Sequence, residues 1–196
     1  MFHTEKKFIL ASQSPRRRMF LEALGIRFSV TAASIDEIIE NQESPQTFVE
    51  RMAFEKAMDV SRQHQSAWVL SADTIVYIED KVFGKPGSEE EAVEMLMILS
   101  GREHNVMTGY CLACAELNIN IIERVCTSVR FAGFKEDIAH AYVQTGEPLD
   151  KAGSYGIQGK GGALVEAISG SYSNVVGLPL VETLALLQRF KVISVV

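Results

Sequence analysis

The sequence predicts an α/β or α+β fold built on a mixed β-sheet with flanking helices. Three observations predict it. Short apolar runs of strand type alternate with amphipathic helical segments along the chain. Hairpins interrupt strict β-α-β order, which disfavours an all-parallel sheet. No internal repeat, low-complexity tract or Gly/Pro/Ser-rich linker divides the 196 residues, so residues 1–196 read as one domain, with room for two lobes.

The elements follow in order. Residues 8–11 form a short apolar strand. Ser14 then precedes Pro15, which suits an N-cap followed by the first helical position. That helix carries Met19, Leu21 and Leu24, and Gly25 is its expected stop. Residues 28–31 form a second short strand, followed by the acidic turn Ile35-Asp36-Glu37. Ser44-Pro45 opens another helix by the same device, with Val49, Ala53, Ala57 and Val60 as its apolar stripe. Residues 68–78 form a strand, 79–81 a turn and 82–83 a short return strand. Ser88 and Glu91 make a capping box for a helix running to Leu99, with Gly101 behind it. Residues 105–117 and 121–131 are apolar runs separated by Asn118-Ile119-Asn120 and read as a long hairpin. A helix over 135–145 ends at Gly146. A glycine-rich loop spans 150–162, a strand 163–168, the last helix 179–190 and a closing strand 192–196.

Bulk properties narrow the function classes. Apolar content is 47 % and charged content 22 %, ordinary for a globular domain. No apolar run approaches the roughly 18–20 residues of a membrane-spanning helix. Residues 1–7 lead into a short apolar run and then three arginines, without a long apolar region or a small-residue cleavage site, so a cytoplasmic protein is the simple reading. The net charge of −6 argues against a broad nucleic-acid-binding face, which needs clustered basic residues. It leaves room for a single anionic ligand held by a few local cations. The three cysteines, Cys111, Cys114 and Cys126, form no disulfide framework and lack the partners of a zinc set. They read as free buried thiols, with Cys111 and Cys114 on opposite faces of a strand.

Several segments could carry chemistry. The turn Leu10-Ala11-Ser12-Gln13-Ser14-Pro15-Arg16-Arg17 leads from a strand into a helix start. A helix N-terminus presents unpaired N–H groups and partial positive charge, which suit phosphate. Ser12 and Ser14 add hydroxyls, and Arg16, Arg17 and Arg18 add guanidinium forks. Cations in the first turn oppose the helix dipole, and an anionic ligand would explain them. An ordinary capped helix with a solvated basic start is the equal alternative. Asp73 and Thr74 interrupt an apolar strand; a partly buried carboxylate there must be paired or bound to a metal, unless it only ends the strand in a local turn. Mg²⁺ commonly uses one or two carboxylates plus phosphates and water, and Asp36, Glu37 and Glu40 are candidate partners. Lys56 falls on the apolar stripe of its helix, where it snorkels or meets an anion. Lys85 reads in isolation as an exposed turn lysine. The loop 150–162 holds five glycines in 13 residues, which lets backbone approach a ligand or makes a flexible surface loop. Gln158 within it offers donor and acceptor together, which can pair with the imide edge of uracil or thymine. Residues 170–174 read most economically as a polar turn. The sequence holds no P-loop, no Gly-x-Gly-x-x-Gly between a strand and a helix, and neither a Gly-x-Ser-x-Gly nor a His-Glu-x-x-His element.

Taken together the segments resemble the Maf family, nucleotide pyrophosphatases also described as septum-formation inhibitor proteins. The resemblance rests on residues 10–17, 72–76, 84–86, 95–101, 150–159 and 170–180, in order over nearly the whole chain. It implies an α/β fold shared with inosine triphosphate pyrophosphatases, two lobes around a cleft, and dependence on a divalent metal cation, Mg²⁺ or Mn²⁺. It implies hydrolysis of a nucleoside triphosphate to monophosphate and pyrophosphate. Asp73 matches the position the family uses as proton acceptor, and Ser12, Ser14, Arg16, Arg17, Glu37, Lys56 and Lys85 match its polar cleft positions. The mechanism expected from them gives the phosphates to Ser12, Ser14, Arg17, Lys56 and Lys85 and a divalent ion to Glu37 and Asp73. Arg16, Thr74 and Gln158 match the branch acting on dTTP and UTP; the 7-methyl-GTP branch has an aromatic residue, a glutamine and a glutamate there. The last exchange makes chemical sense, because glutamate only accepts, whereas glutamine can serve a pyrimidine imide. The resemblance is compatible with a homodimer and implies neither a nucleic-acid nor a membrane partner. Two rivals stand beside this reading: a 7-methyl-GTP pyrophosphatase, and a nucleotide-binding regulator of septation that does not depend on turnover.

Overall fold

A computed structural model describes residues 1–79 and 81–196. Strands β1 (Phe2–Thr4), β2 (Phe8–Leu10), β3 (Ser29–Val30), β4 (Trp68–Ile78), β5 (Lys81–Phe83), β6 (Glu103–Cys114), β7 (Ile119–Phe131), β8 (Val165–Ser169) and β9 (Ile193–Val195) are interleaved with helices. The helices are α1 (Pro15–Ala23), α2 (Pro45–Gln63), α3 (Glu89–Leu99), α4 (Glu136–Val143), α5 (Tyr172–Val176) and α6 (Leu180–Arg189). The main sheet runs β3-β2-β4-β6-β7-β8, with β5 paired to β4. It is mixed: β2 lies parallel to both β3 and β4, whereas β5 on β4 and β8 on β7 are antiparallel. Among the described residues no helix is long and apolar enough to cross a membrane.

The chain forms two compact units. The first comprises Met1–Asp73, Thr108–Val125 and Gly177–Val196. In it β2 and the adjoining parts of β4 and β6 alternate between two apolar faces, as a sheet covered on both sides requires. Phe8, Leu10, Trp68, Leu70, Tyr110 and Leu112 pack with Leu21 of α1 and Leu186 and Leu187 of α6. Ile9, Ala11 and Val69 pack with Val60 of α2, and Cys111 and Ala113 with Ala53 and Ala57 of the same helix. Helix α2 begins as expected: Ser44 accepts the Thr47 N–H at 3.1 Å and Pro45 occupies the first turn. The second unit comprises Thr74–Met107 and Cys126–Val176. Val76, Ile78, Val106, Val129 and Phe131 from the strands pack with Leu96 and Leu99 of α3 and Tyr142 and Val143 of α4. Ser88 caps α3 by accepting the Glu91 N–H at 3.1 Å, while the Glu91 carboxylate accepts from Gly87 N rather than from the cap residue.

Several expectations shift. Strand β1 was not expected; three residues with polar His3 and Thr4 carry no local signal, and they form a strand only by pairing with β9. The turn between β6 and β7 spans 115–118, so Ile119 already belongs to β7, and Asn118 takes the left-handed conformation. The glycine-rich stretch folds into 3₁₀ turns at Glu147–Asp150, Ala152–Ser154 and Gly159–Leu164 rather than an irregular loop. The polar turn expected over 170–174 becomes α5. Met19 points outward at 47 % exposure, while Leu21 carries the buried contact of α1. Cys111 and Cys114 are buried free thiols, but Cys126 is exposed. The turn expected over Glu79, Asp80 and Lys81 includes Asp80, which lies outside the described residues.

Candidate active site

The first unit builds its site on the parallel pair β2–β4. Leu10 stands opposite Leu70, and Ala11 N–H continues the ladder to Leu70 O at 2.7 Å. The turn after β2 therefore runs beside residues 71–73 of β4. Ligands of open α/β sheets bind where parallel strands end and helices begin. Ser14 starts α1 in an extended conformation but makes no side-chain cap bond; its N–H donates to Ser12 Oγ at 3.2 Å. No acidic residue occupies the first turn of α1.

The three arginines separate. Arg18 forms an exposed pair with Glu22 one turn on, at 2.6 Å. Arg16 is half-buried. Arg17 is buried, its Nε donating to Gly177 O at 2.7 Å and its Nη1 to Ala72 O at 2.7 Å and Ser12 Oγ at 3.0 Å. One guanidinium thus ties the turn, the backbone just before Asp73 and the segment leading to α6. Burial lowers its pKa and the Asp73 carboxylate opposes that shift; a guanidinium nonetheless stays charged.

Asp73 follows from the register of β4. Val69, Ser71 and Asp73 share the face covered by α2. The Ser71 hydroxyl donates to Ala53 O, and one turn along α2 Lys56 Nζ donates to Asp73 Oδ1 at 2.6 Å. The same ammonium donates to Glu37 Oε1 at 2.6 Å. Lys56 and Asp73 are only 9 % and 7 % exposed, so the lysine meets anions instead of snorkelling, and the carboxylate is paired as its burial demands. Glu37 reaches the pair from the extended stretch before α2 and keeps its side chain 45 % exposed.

Two carboxylates around one ammonium suit a hard divalent cation that takes its remaining ligands from phosphate and water. Among the described residues no group of three or more His, Cys, Asp or Glu is arranged to hold a metal by protein alone. Thr74, Lys85 and Gln158 belong to the second unit. Thr74 is half-buried directly after Asp73, Lys85 is exposed after β5, and Gln158 is half-buried at the start of the 3₁₀ turn over Gly159–Leu164. The structure thus brings Ser12, Arg17, Glu37, Lys56 and Asp73 together within the first unit. Sequence reasoning passed over Gly177 O, an acceptor without side-chain signature, and over Tyr142 and Glu147, which hold the backbone around Gln158. The run Gly146-Glu147-Pro148 just before the glycine-rich stretch was the available signal for the last.

Residues 7–190 match the family described as Maf-like protein. The chain belongs to the Maf family. A relative from Desulfotalea psychrophila, described as a dTTP/UTP pyrophosphatase, is 53 % identical over 195 residues, covering 100 % of both chains. A protein of the same description from Myxococcus xanthus is 50 % identical over 92 % of this chain and 91 % of its own. Among solved structures, the Staphylococcus aureus Ham1 protein superposes with a TM-score of 0.53 over 95 % of this chain and 98 % of its own, at 14 % identity. That likeness shows that this Maf chain shares the Ham1 fold, the mixed α/β architecture expected from the sequence.

Proposed function

We propose that this chain is a nucleoside triphosphate pyrophosphatase that hydrolyses dTTP and UTP, and modified pyrimidine nucleotides, to the monophosphate and pyrophosphate in the cytoplasm. The observation that carries the reading is the buried Lys56–Asp73 pair, with Glu37, beside an arginine-rich helix start in a Maf chain. Relatives up to 53 % identical over the full length bear the same activity in their descriptions.

In this reading Ser12, Ser14, Arg16 and Arg17 receive the triphosphate at the start of α1, with Lys56 and Lys85 neutralising phosphate oxygens. Arg17 also holds Ser12 and the Ala72 carbonyl in place. Asp73 takes the proton of a water attacking the α-phosphorus as the bond to the β-phosphate breaks and pyrophosphate leaves. Lys56 fixes the Asp73 carboxylate through Oδ1. Glu37 and Asp73 would hold a Mg²⁺ or Mn²⁺ ion, whose chemistry is neutralisation of phosphate charge. Arg16, Thr74 and Gln158 select the pyrimidine. The test is pyrophosphate release from dTTP, UTP, their 5-modified forms, CTP and 7-methyl-GTP with either metal. Release from dTTP and UTP supports the proposal. Release confined to 7-methyl-GTP, or nucleotide binding without any pyrophosphate, overturns it; the latter would support a regulator of septation.

A further inference from the structure

The glycine-rich stretch is neither a floppy loop nor an open cradle. At the end of α4 the left-handed Gly146 (φ 72°) turns the chain so that Glu147 folds back toward Tyr142. The Tyr142 hydroxyl donates to Glu147 Oε1 at 2.9 Å. The same carboxylate accepts Gly161 N–H on Oε1 and Lys160 N–H on Oε2, each at 3.1 Å. Tyr142 Oη in turn accepts Gly156 N–H at 3.1 Å. These anchors bracket Gln158, two residues before it and two and three after it.

The glycines are spent on this arrangement. Gly159 has φ 72°, and a side chain there would bring its Cβ to 2.8 Å from Glu147 Oε2. A Cβ at Gly161 would collide with the Tyr142 hydroxyl and Gly156 O, and one at Gly162 would lie 2.8 Å from Ile157 O. The backbone of 156–162 is therefore wound around a carboxylate and a phenol. A carboxylate suits the place because it only accepts and faces three donors. A segment with four glycines in seven residues has large conformational entropy to lose, and something must hold it.

We infer that Glu147 and Tyr142 are positioning residues for base selection, holding the backbone on both sides of Gln158 so that its amide is presented in one pose. The inference rests on the proposed pyrimidine nucleotide activity and on Gln158 as a reader of the base. A recognition group must be held within a fraction of an ångström by its supporting groups, and Glu147 and Tyr142 supply that support. Neither has a part in the proposed hydrolytic step, so loosening them alters base discrimination and leaves that step alone.

The experiment compares UTP with CTP, which share ring size, ribose and triphosphate and differ at the imide edge. In Glu147→Gln an amide NH₂ faces a backbone N–H, so at least one of the Lys160 and Gly161 anchors is lost. In Tyr142→Phe the Gly156 anchor is lost with minimal change of volume. Each variant is expected to lower the UTP-to-CTP ratio of kcat/KM by about tenfold through a higher KM for UTP, with kcat within about twofold. Protection of the amides of residues 156, 160 and 161 against hydrogen exchange, measured without nucleotide, is expected to fall about tenfold or more. Gln158→Ala is expected to lose the same discrimination, and the double variant Glu147→Gln/Gln158→Ala to lose little more, which a purely structural role would not produce. If Glu147→Gln does not fold, Tyr142→Phe decides. Folded variants that keep the wild-type ratio overturn the inference, as does a wild type that turns over UTP and CTP equally; both leave the pyrophosphatase reading standing. A wild type that releases no pyrophosphate from any nucleotide overturns both.

Discussion

Lys56 Nζ lies 2.6 Å from Asp73 Oδ1, and the contact is a product of strand register and helix phase together. Asp73 shares its face of β4 with Ser71 and Val69, and Lys56 falls one turn after Ala53, whose carbonyl accepts the Ser71 hydroxyl. A shift of β4 by one residue would turn Asp73 to the opposite, apolar face and leave Lys56 without it. The apolar alternation that folds the first unit is thus also what delivers the carboxylate to the ammonium.

Asp73→Asn removes the proton acceptor while keeping shape. Pyrophosphate release from dTTP is expected to fall by about 10²–10⁴-fold, the range of a positioned general base. The circular dichroism spectrum should stay that of the wild type. A folded Asp73→Asn protein with wild-type turnover would remove Asp73 from the chemistry.

Lys56→Met removes the cation and leaves Asp73 buried beside Glu37. Breaking such a pair from one side costs about 3–5 kcal/mol, because the remaining charge has lost its partner. A bound divalent ion can replace the missing charge. Millimolar Mg²⁺ is therefore expected to raise the Tm of Lys56→Met more than that of the wild type, in a thermal melt without nucleotide. Equal shifts in the two proteins would show that Glu37 and Asp73 do not form the ion's site.

Much of this was legible in the chain, for identifiable reasons. Strand β4 is legible over residues 68–78 because a long apolar run is bounded by turn residues, and α2 and α3 because Ser44-Pro45 and Ser88 with Glu91 are local start signals. Asp73 and Lys56 stood out because each is a charge on an apolar element. What stayed hidden depends on residues far apart in sequence. Strand β1 exists by pairing with β9, and Arg17 finds its partners at Ala72 O and Gly177 O. Carbonyl acceptors have no residue type, so composition cannot announce them. Glu147 is a charge in a polar stretch and gave no contrast with its neighbours.

Arg17→Lys distinguishes a tether from a simple phosphate cation. Lysine keeps the charge but lacks the planar fork that directs Nε to Gly177 O and Nη1 to Ala72 O from separate nitrogens. Losing one charged hydrogen bond to a buried carbonyl is expected to cost about 2–3 kcal/mol, which at this chain length lowers Tm by roughly 4–12 °C. If Arg17 acted only on phosphate, Arg17→Lys would keep its Tm and change KM alone.

His104 links stability to pH. It is buried in the second unit, edge-on to Phe131 and Tyr155, with Nε2 2.7 Å from Tyr155 Oη. Among the described residues its Nδ1 has no hydrogen-bond partner. Burial lowers its pKa from the ordinary 6.5 to about 4. The folded state thus holds the ring neutral where the unfolded chain protonates it. Its contribution is complete above pH 6.5, is lost progressively as pH falls to about 4, and amounts to about 3 kcal/mol over that window. Urea titrations at pH 7 and pH 5 should show a smaller difference in His104→Gln than in the wild type. An unchanged difference would assign the acid sensitivity to other groups.

Gly109 sets how closely α2 approaches the sheet. It lies on β6 on the same face as Cys111 and Ala113, and a Cβ built at Gly109 collides with the Val49 carbonyl of α2. The obstacle is backbone, so no rotamer change relieves it. Gly109→Ala must push the helix away, and forced separation of packed layers is expected to cost about 3 kcal/mol. The urea midpoint should fall with the m-value unchanged, since the unfolded state is the same. The site should suffer as well. Val49 and Lys56 are two turns apart on α2, so a displaced helix carries the Lys56 ammonium away from Asp73. Turnover of dTTP in the fraction still folded is therefore expected to fall by about tenfold or more, since small misplacements at a reacting centre are costly. A folded Gly109→Ala protein with wild-type stability and turnover would show that α2 does not depend on this contact for its position.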